Sequence, residues 1–230
     1  MTSTGGEKPR SLAGKAIWLV RNRPGAFLRT ARGYMLFQMT RFCWRHDVQI
    51  TIGKNTRIQR RKSLTVERPS ARISIGDHSI VYESSGIGAY GKGLVDIGEC
   101  AVLGEIRIAS RYRVKIGRRF ISSWNVFIQD FDPHPVQPED RGRQIEAICA
   151  GFRPRFTAVP YAETFAWDFP GQAIEIGDDV WIGANATVLK GACIGNGCIV
   201  ATGAVVLSGE YPERSLIAGN PAKVVKTFAT

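Results

Sequence analysis

The chain has 230 residues, 44% hydrophobic and 22% charged, a balance that excludes a disordered polyelectrolyte and suits one domain with or without a substantial appendage. Its net charge of +11 is unevenly placed: residues 1–47 carry nine Lys and Arg (Lys8, Arg10, Lys15, Arg21, Arg23, Arg29, Arg32, Arg41, Arg45) against Glu7 and Asp47. The longest early apolar run, "AIWLV", is too short for a secretory signal or a membrane span, so a cytoplasmic protein is expected.

In chain order, residues 1–10 read as a tail. Residues 11–46 read as two short amphipathic helices broken at Pro24–Gly25. The basic residues there alternate with Trp18, Phe27, Tyr34, Phe37, Phe42 and Trp44. Such a stretch suits an acidic membrane surface, nucleic acid, or packing against the chain's own core. The expectation carried forward is peripheral contact at the inner face of an anionic membrane, with no nucleic-acid partner.

From residue 48 a different rhythm begins. "ITIGKNTRI" supplies Ile52 and Ile58, and "ISIGDHSIVYESSGIG" supplies Ile75, Val81 and Ile87, six residues apart within each segment. The register slips and resumes at Ile97 and Leu103, then at Ile116, Ser122 and Ile128, as loops leaving the corners of a coil would cause. Residues 135–173 break the rule altogether. Their mixture of charges, prolines and aromatics predicts a loop excursion that lines a binding site. The period returns in "IEIGDDVWIGANATVLKGACIGNGCIVATGAVVL", with Ile176, Ile182, Val188, Ile194, Val200 and Val206 in step. Four residues after each of the first five comes a small or β-branched residue: Val180, Ala186, Ala192, Cys198 and Ala204. Residues 208–230 then form a cap. Neither a helix nor a half-buried strand repeats every six residues. A parallel β-helix does, stacking one aliphatic per short strand into an interior column.

The five cysteines have neither metal-ligand nor redox spacing and are expected to be reduced, packed thiols, with Cys198 on the small-residue rail. The three histidines, His46, His78 and His134, are too far apart to converge on a metal from adjacent coils, so no metal is expected. His46 lies in the basic segment and His78 in a surface-like "IGDHS" turn. His134 closes a coil beside the excursion.

The repeat, the "HP" after a coil containing "WNVFI", and the segment from "IEIGDDVWIG" to "AGNPAKVV" resemble the hexapeptide-repeat acyltransferases. The branch they resemble contains the galactoside, maltose and polysaccharide O-acetyltransferases. The resemblance implies a left-handed parallel β-helix over 48–230 and a homotrimer with active sites between subunits. It implies acetyl transfer from acetyl-CoA to a sugar hydroxyl in a polysaccharide, a lipopolysaccharide or a precursor. On the same basis His134 matches the catalytic base, and Asp130 or Asp132 is expected to orient its ring. Asn125 and Trp181 match acceptor-site positions, although Trp181 also reads as an exterior aromatic at a subunit interface. Ala184 and Thr202 match positions along the pantetheine arm, and Ser208, Lys223 and Lys226 positions toward the nucleotide. Two other readings stay open: N-acetylation of a nucleotide-linked amino sugar, and a β-helix that binds without catalysis.

Overall fold

The computed structural model describes residue 35 and residues 49–151 and 167–229. The chain divides into two units, residues 1–47 and 48–230. Of the first unit only Met35 is described, helical and exposed. The helices expected over 11–46, together with His46 and Cys43, lie outside the described residues.

The second unit is wound from strands of two to six residues into three sheets. The first sheet stacks seven strands, from Ile50–Ile52 to Gly209–Tyr211. The second begins at Arg57–Ile58 and the third at Leu64–Val66. Successive strands within a sheet come from successive coils and pair in parallel, for example Ile121 and Ser122 with Trp181 and Ile182, and those in turn with Ile199 and Val200. This winding of about seven turns fits a left-handed β-helix. At its end the pattern reverses: Ala222–Thr227 folds back antiparallel onto Ser215–Gly219, with a register shift at Leu216/Ile217.

The six-residue rule is the geometry of this winding. Ile176, Ile182, Val188, Ile194, Val200 and Val206 are all buried, one from each sheet in turn, and so are Val180, Ala186, Ala192, Cys198 and Ala204. Each buried Ile or Val contributes about 1.5–3 kcal/mol of apolar transfer, so the column is the main source of stability. The glycines that follow the aliphatics let the coils approach. A Cβ on Gly183 would lie 2.7 Å from the Thr202 amide nitrogen, and one on Gly177 2.5 Å from Asn196 Oδ1.

The turn from the first to the second sheet is built the same way in every coil. One residue takes a positive φ there: Asn55, His78, Cys100, Arg119, Asp179, Gly197 and Arg214. At three of these corners the residue just before it is Asp77, Asp178 or Asn196, and its side chain braces the preceding coil. Asp178 Oδ1 accepts the Arg118 amide at 2.7 Å, and Asn196 Oδ1 accepts the Asp178 amide at 2.8 Å. These corners face solvent, which explains His78 and corrects the expectation of packed thiols. Cys100 is exposed at such a corner, Cys149 and Cys193 are exposed as well, and Cys198 alone among the described cysteines is buried. Burial pushes the Cys198 thiol up from its ordinary pKa.

The slips in the amino-terminal coils have local causes. A 3-10 turn at Arg61–Ser63 and the turn around Gly91, which takes a positive φ, each insert residues between strands. The excursion is not loop throughout. Pro138–Gly151 is a 14-residue helix, here α1, opened by Pro138 with Glu139 and Asp140 in its first turn.

Candidate active site

The excursion leaves and rejoins the β-helix through a short clasp. Phe131 and Gly171 form an antiparallel bridge, the Asp132 amide donates to the Pro170 carbonyl at 2.8 Å, and the Gln172 amide donates to the Asp130 carbonyl at 2.9 Å. Side chains reinforce it. The Phe131 and Phe169 rings meet edge to face at 5.8 Å, and the Arg111 guanidinium lies 3.6 Å from the Phe169 centroid. Trp167 Nε1 donates to the Asp132 carbonyl at 3.1 Å.

His134 stands just beyond this clasp, exposed, and neither expected aspartate holds it. Asp130 is wholly buried. Its Oδ2 accepts from the Ser110 hydroxyl at 2.6 Å and the Tyr112 amide at 3.2 Å, and its Oδ1 accepts from the Arg111 amide at 2.8 Å. Burial pushes its pKa up, and the Ser110 hydroxyl and the neighbouring backbone amides partly offset that. Asp130 thus braces the preceding coil, where three donors converge on it. Asp132 forms an ion pair with Lys190 of the next coil. Both aspartates are committed elsewhere, so the expectation that one orients the ring is corrected.

The ring's partner is Gln144, on α1. His134 Nδ1 lies 2.8 Å from Gln144 Oε1, while Gln144 Nε2 donates to the Pro133 carbonyl at 3.3 Å. Gln144 is 1% exposed. The helix start that carries it is fastened by Arg141, whose Nη1 donates to the carbonyls of Pro135 and Val136 at 3.0 and 2.9 Å. Among the described residues His134 Nε2 has no hydrogen-bond partner. Sequence reading missed Gln144 and Lys190. The helix-start signal at Pro138–Asp140 was available, but no apolar stripe followed it, because the residue that α1 buries among those described is an amide.

The remaining candidates sort onto different edges. Asn125 and Asn185, both at positive φ, occupy the corner between the second and third sheets, where Asn125 Nδ2 donates to Asn185 Oδ1 at 2.9 Å. Ala184 and Thr202 lie at the same corner in the stacked coils. The Ala184 carbonyl accepts the Gly203 amide at 2.9 Å, and the Ala184 amide has no backbone partner among the described residues. Trp181, 48% exposed on the outer face of the second sheet, donates from Nε1 to the Ser123 hydroxyl at 3.2 Å. His134 belongs to the opposite corner, between the third and first sheets, with Lys190 and Ser208. The strand Val126–Gln129 separates it from Asn125 within one chain. Ser208 is exposed and lies 3.4 Å from the Gly191 carbonyl, and Lys223 and Lys226 are exposed on the antiparallel terminal strand.

A family model for the bacterial transferase hexapeptide (six repeats) matches residues 173–208. WbbJ of Escherichia coli strain K12, provisionally named as a lipopolysaccharide biosynthesis O-acetyl transferase, is 31% identical over 150 residues, which cover 63% of this chain and 68% of WbbJ. A 2,3,4,5-tetrahydropyridine-2,6-dicarboxylate N-acetyltransferase of Staphylococcus aureus (strain JH9) is 53% identical over 51 residues, but these are 22% of this chain and 21% of that enzyme. Among solved structures, a single-residue mutant of AntD, an N-acyltransferase from Bacillus cereus, in complex with dTDP and coenzyme A, aligns with a TM-score of 0.50 at 15% identity, covering 77% of this chain and 83% of that one. The chain belongs to the hexapeptide-repeat transferase family, and the relatives it matches are acetyltransferases. Among the described residues no three His, Cys, Asp or Glu side chains are grouped to hold a metal ion, and no described helix is long and apolar enough to cross a membrane.

Proposed function

We propose that the chain transfers an acetyl group from acetyl-CoA to a hydroxyl of a sugar in a polysaccharide, a lipopolysaccharide or a precursor, with His134 as general base. The observation that carries the reading is the ring's geometry: Nδ1 faces the Gln144 carbonyl oxygen and Nε2 is left without a partner among the described residues. A sugar hydroxyl is a poor nucleophile while protonated. An imidazole nitrogen with its lone pair free removes that proton as the oxygen attacks the thioester carbonyl, then returns it to the departing thiolate. The name carried by WbbJ supports a glycan acceptor, and the coenzyme A bound to AntD supports the donor.

The donor side falls to the corner of Ala184 and Thr202. Small residues there, Gly183, Ala184, Ala201 and Gly203, allow a pantetheine arm to approach the backbone, and the Ala184 amide is available as a donor to the developing oxyanion. Ser208, Lys223 and Lys226 serve the nucleotide end, the lysines as point charges toward phosphate. Asn125 and Trp181 serve the acceptor.

His134 lies at a different corner of one chain from Ala184 and Thr202, the residues assigned to the pantetheine arm, so a complete site needs a neighbouring copy, and we assign a homotrimer. The outer face of the second sheet supports this. Ile80, Val102, Ile121, Trp181, Ile199 and Leu216 follow one another on paired strands as an apolar ladder, with Ile121 45% exposed. Sedimentation should give a trimer, and a monomer at assay concentration would remove this claim. Residues 11–46 are assigned to an anionic membrane surface on their charge alone, and liposome binding independent of anionic lipid would reverse that.

The decisive experiment is release of free coenzyme A thiol from acetyl-CoA against a panel of sugars, glycans and amino sugars. Turnover with hydroxyl acceptors is expected. Turnover restricted to amines would make the chain an N-acetyltransferase, and none with any acceptor together with no acetyl-CoA binding would make it a non-catalytic module.

A further inference from the structure

We propose that Gln144 is a positioning residue for His134: its side-chain carbonyl accepts the proton on Nδ1 and holds the imidazole in the tautomer whose Nε2 lone pair is free. This deepens the reading of His134 as the base and rests on it. The assignment follows from what each atom is able to do. The Pro133 carbonyl only accepts, so the Gln144 group 3.3 Å from it is the amide NH2. That leaves the Gln144 carbonyl oxygen, which has no proton, 2.8 Å from Nδ1. Nδ1 must therefore supply the hydrogen. A neutral imidazole has one N–H, so Nε2 is the acceptor.

Three features make this contact more than incidental. Gln144 is the most deeply buried of the described residues of α1, although it is polar and its neighbours Arg143 and Ile145 are exposed. Both ends of its amide are engaged, which prevents the flip that would present NH2 to the ring. The segment that carries it is tied to the turn after His134 through Arg141. The charged groups of this corner are otherwise spent: Asp132 and Lys190 pair with each other, Asp140 pairs with Arg143, and Arg141 is bound to the carbonyls of Pro135 and Val136. Among the described residues none of these is hydrogen-bonded to the ring. A neutral amide in this position selects the tautomer without adding a negative charge beside it.

Three variants and one spectrum test the proposal. His134→Ala first tests the base: if it retains turnover, the reading of His134 fails, independently of Gln144. Gln144→Leu removes the acceptor and is expected to lower kcat by about ten- to a hundredfold, with the KM for acetyl-CoA little changed. Gln144→Glu keeps an acceptor but charges it. It should recover most of that loss and move the acid limb of the kcat profile to higher pH, because a carboxylate beside the ring stabilises the imidazolium. A merely structural role for Gln144 would not move the limb. The 15N ring shifts of wild-type protein, with His134 assigned by its loss in His134→Ala, should show Nδ1 protonated in the neutral form. That spectrum decides the contact even if Gln144→Leu does not fold. Protonation of Nε2 instead, or an active Gln144→Leu together with an unshifted Gln144→Glu profile, would overturn the proposal.

Discussion

Residues 174–206 and the described residues of 130–172 meet in the same coils but are held by different physics. In the first region every coil repeats the last, an aliphatic inward from each strand, so its stability is a sum of similar small terms between neighbours. In the second, each contact occurs once: Asp130 on Ser110 and Arg111, Asp132 on Lys190, Gln144 on His134. Chemistry needs particular atoms in particular places, and a strictly repeating surface offers the same atoms at every level. The excursion is where the chain leaves the repeat and differentiates one corner from the rest.

This contrast is open to measurement. The largest effect is expected at His134→Ala, which should cost about a hundredfold to ten-thousandfold in turnover while the denaturation midpoint stays near wild type, since the exposed ring contributes nothing to the interior column. Ile182→Ala reverses the pattern. It should cost about 2–5 kcal/mol in chemical denaturation by opening a cavity in the stack. Asp130→Asn stands between the regions and should lower stability by about 1–3 kcal/mol, because an amide offers one accepting oxygen where the carboxylate gives two to Ser110, Arg111 and Tyr112. If it proved neutral, the clasp would not depend on that carboxylate.

The smallest effect belongs to Asp178→Asn, in the regular corner. The Arg118 amide and then its guanidinium hold the Asp178 carboxyl below the ordinary carboxylate range. A depressed value in the folded state contributes stability above the ordinary value, and that contribution is lost as pH falls through the folded one. The variant should therefore be weaker than wild type by under about 1 kcal/mol at neutral pH, less in high salt, with the gap closing in acid. A gap that widened in acid would reverse the assigned sign.

The β-helix was legible because its cause is periodic: Ile176 through Val206 declare the interior column at fixed spacing. In the amino-terminal coils the same rule was blurred by insertions around Arg61–Ser63 and Gly91, which displace the register without changing what is buried. The place of His134 beside the excursion was also legible. Its partner was not, because contacts made once leave no rhythm. Asp130 and Asp132 looked equivalent in "QDFDPHP", and their partners lie 20 and 58 residues away, Ser110 and Lys190, a distance that local pattern does not encode. The separation of His134 from Asn125 and Ala184 by a strand was hidden too, since a linear repeat shows which residues turn a corner but not which corners must meet.

The reversed strand at the end of the second sheet has a consequence for the protein as a material. A stack of parallel coils is a template on which another coil, or another molecule, can dock, and an open end invites growth into a filament. On the second sheet Ala222–Thr227 occupies that place with the opposite polarity and leaves Lys223 and Lys226 exposed. A second molecule arriving there meets a strand already paired along its inner side and lined with exposed lysines, so growth by parallel stacking on this sheet is blocked.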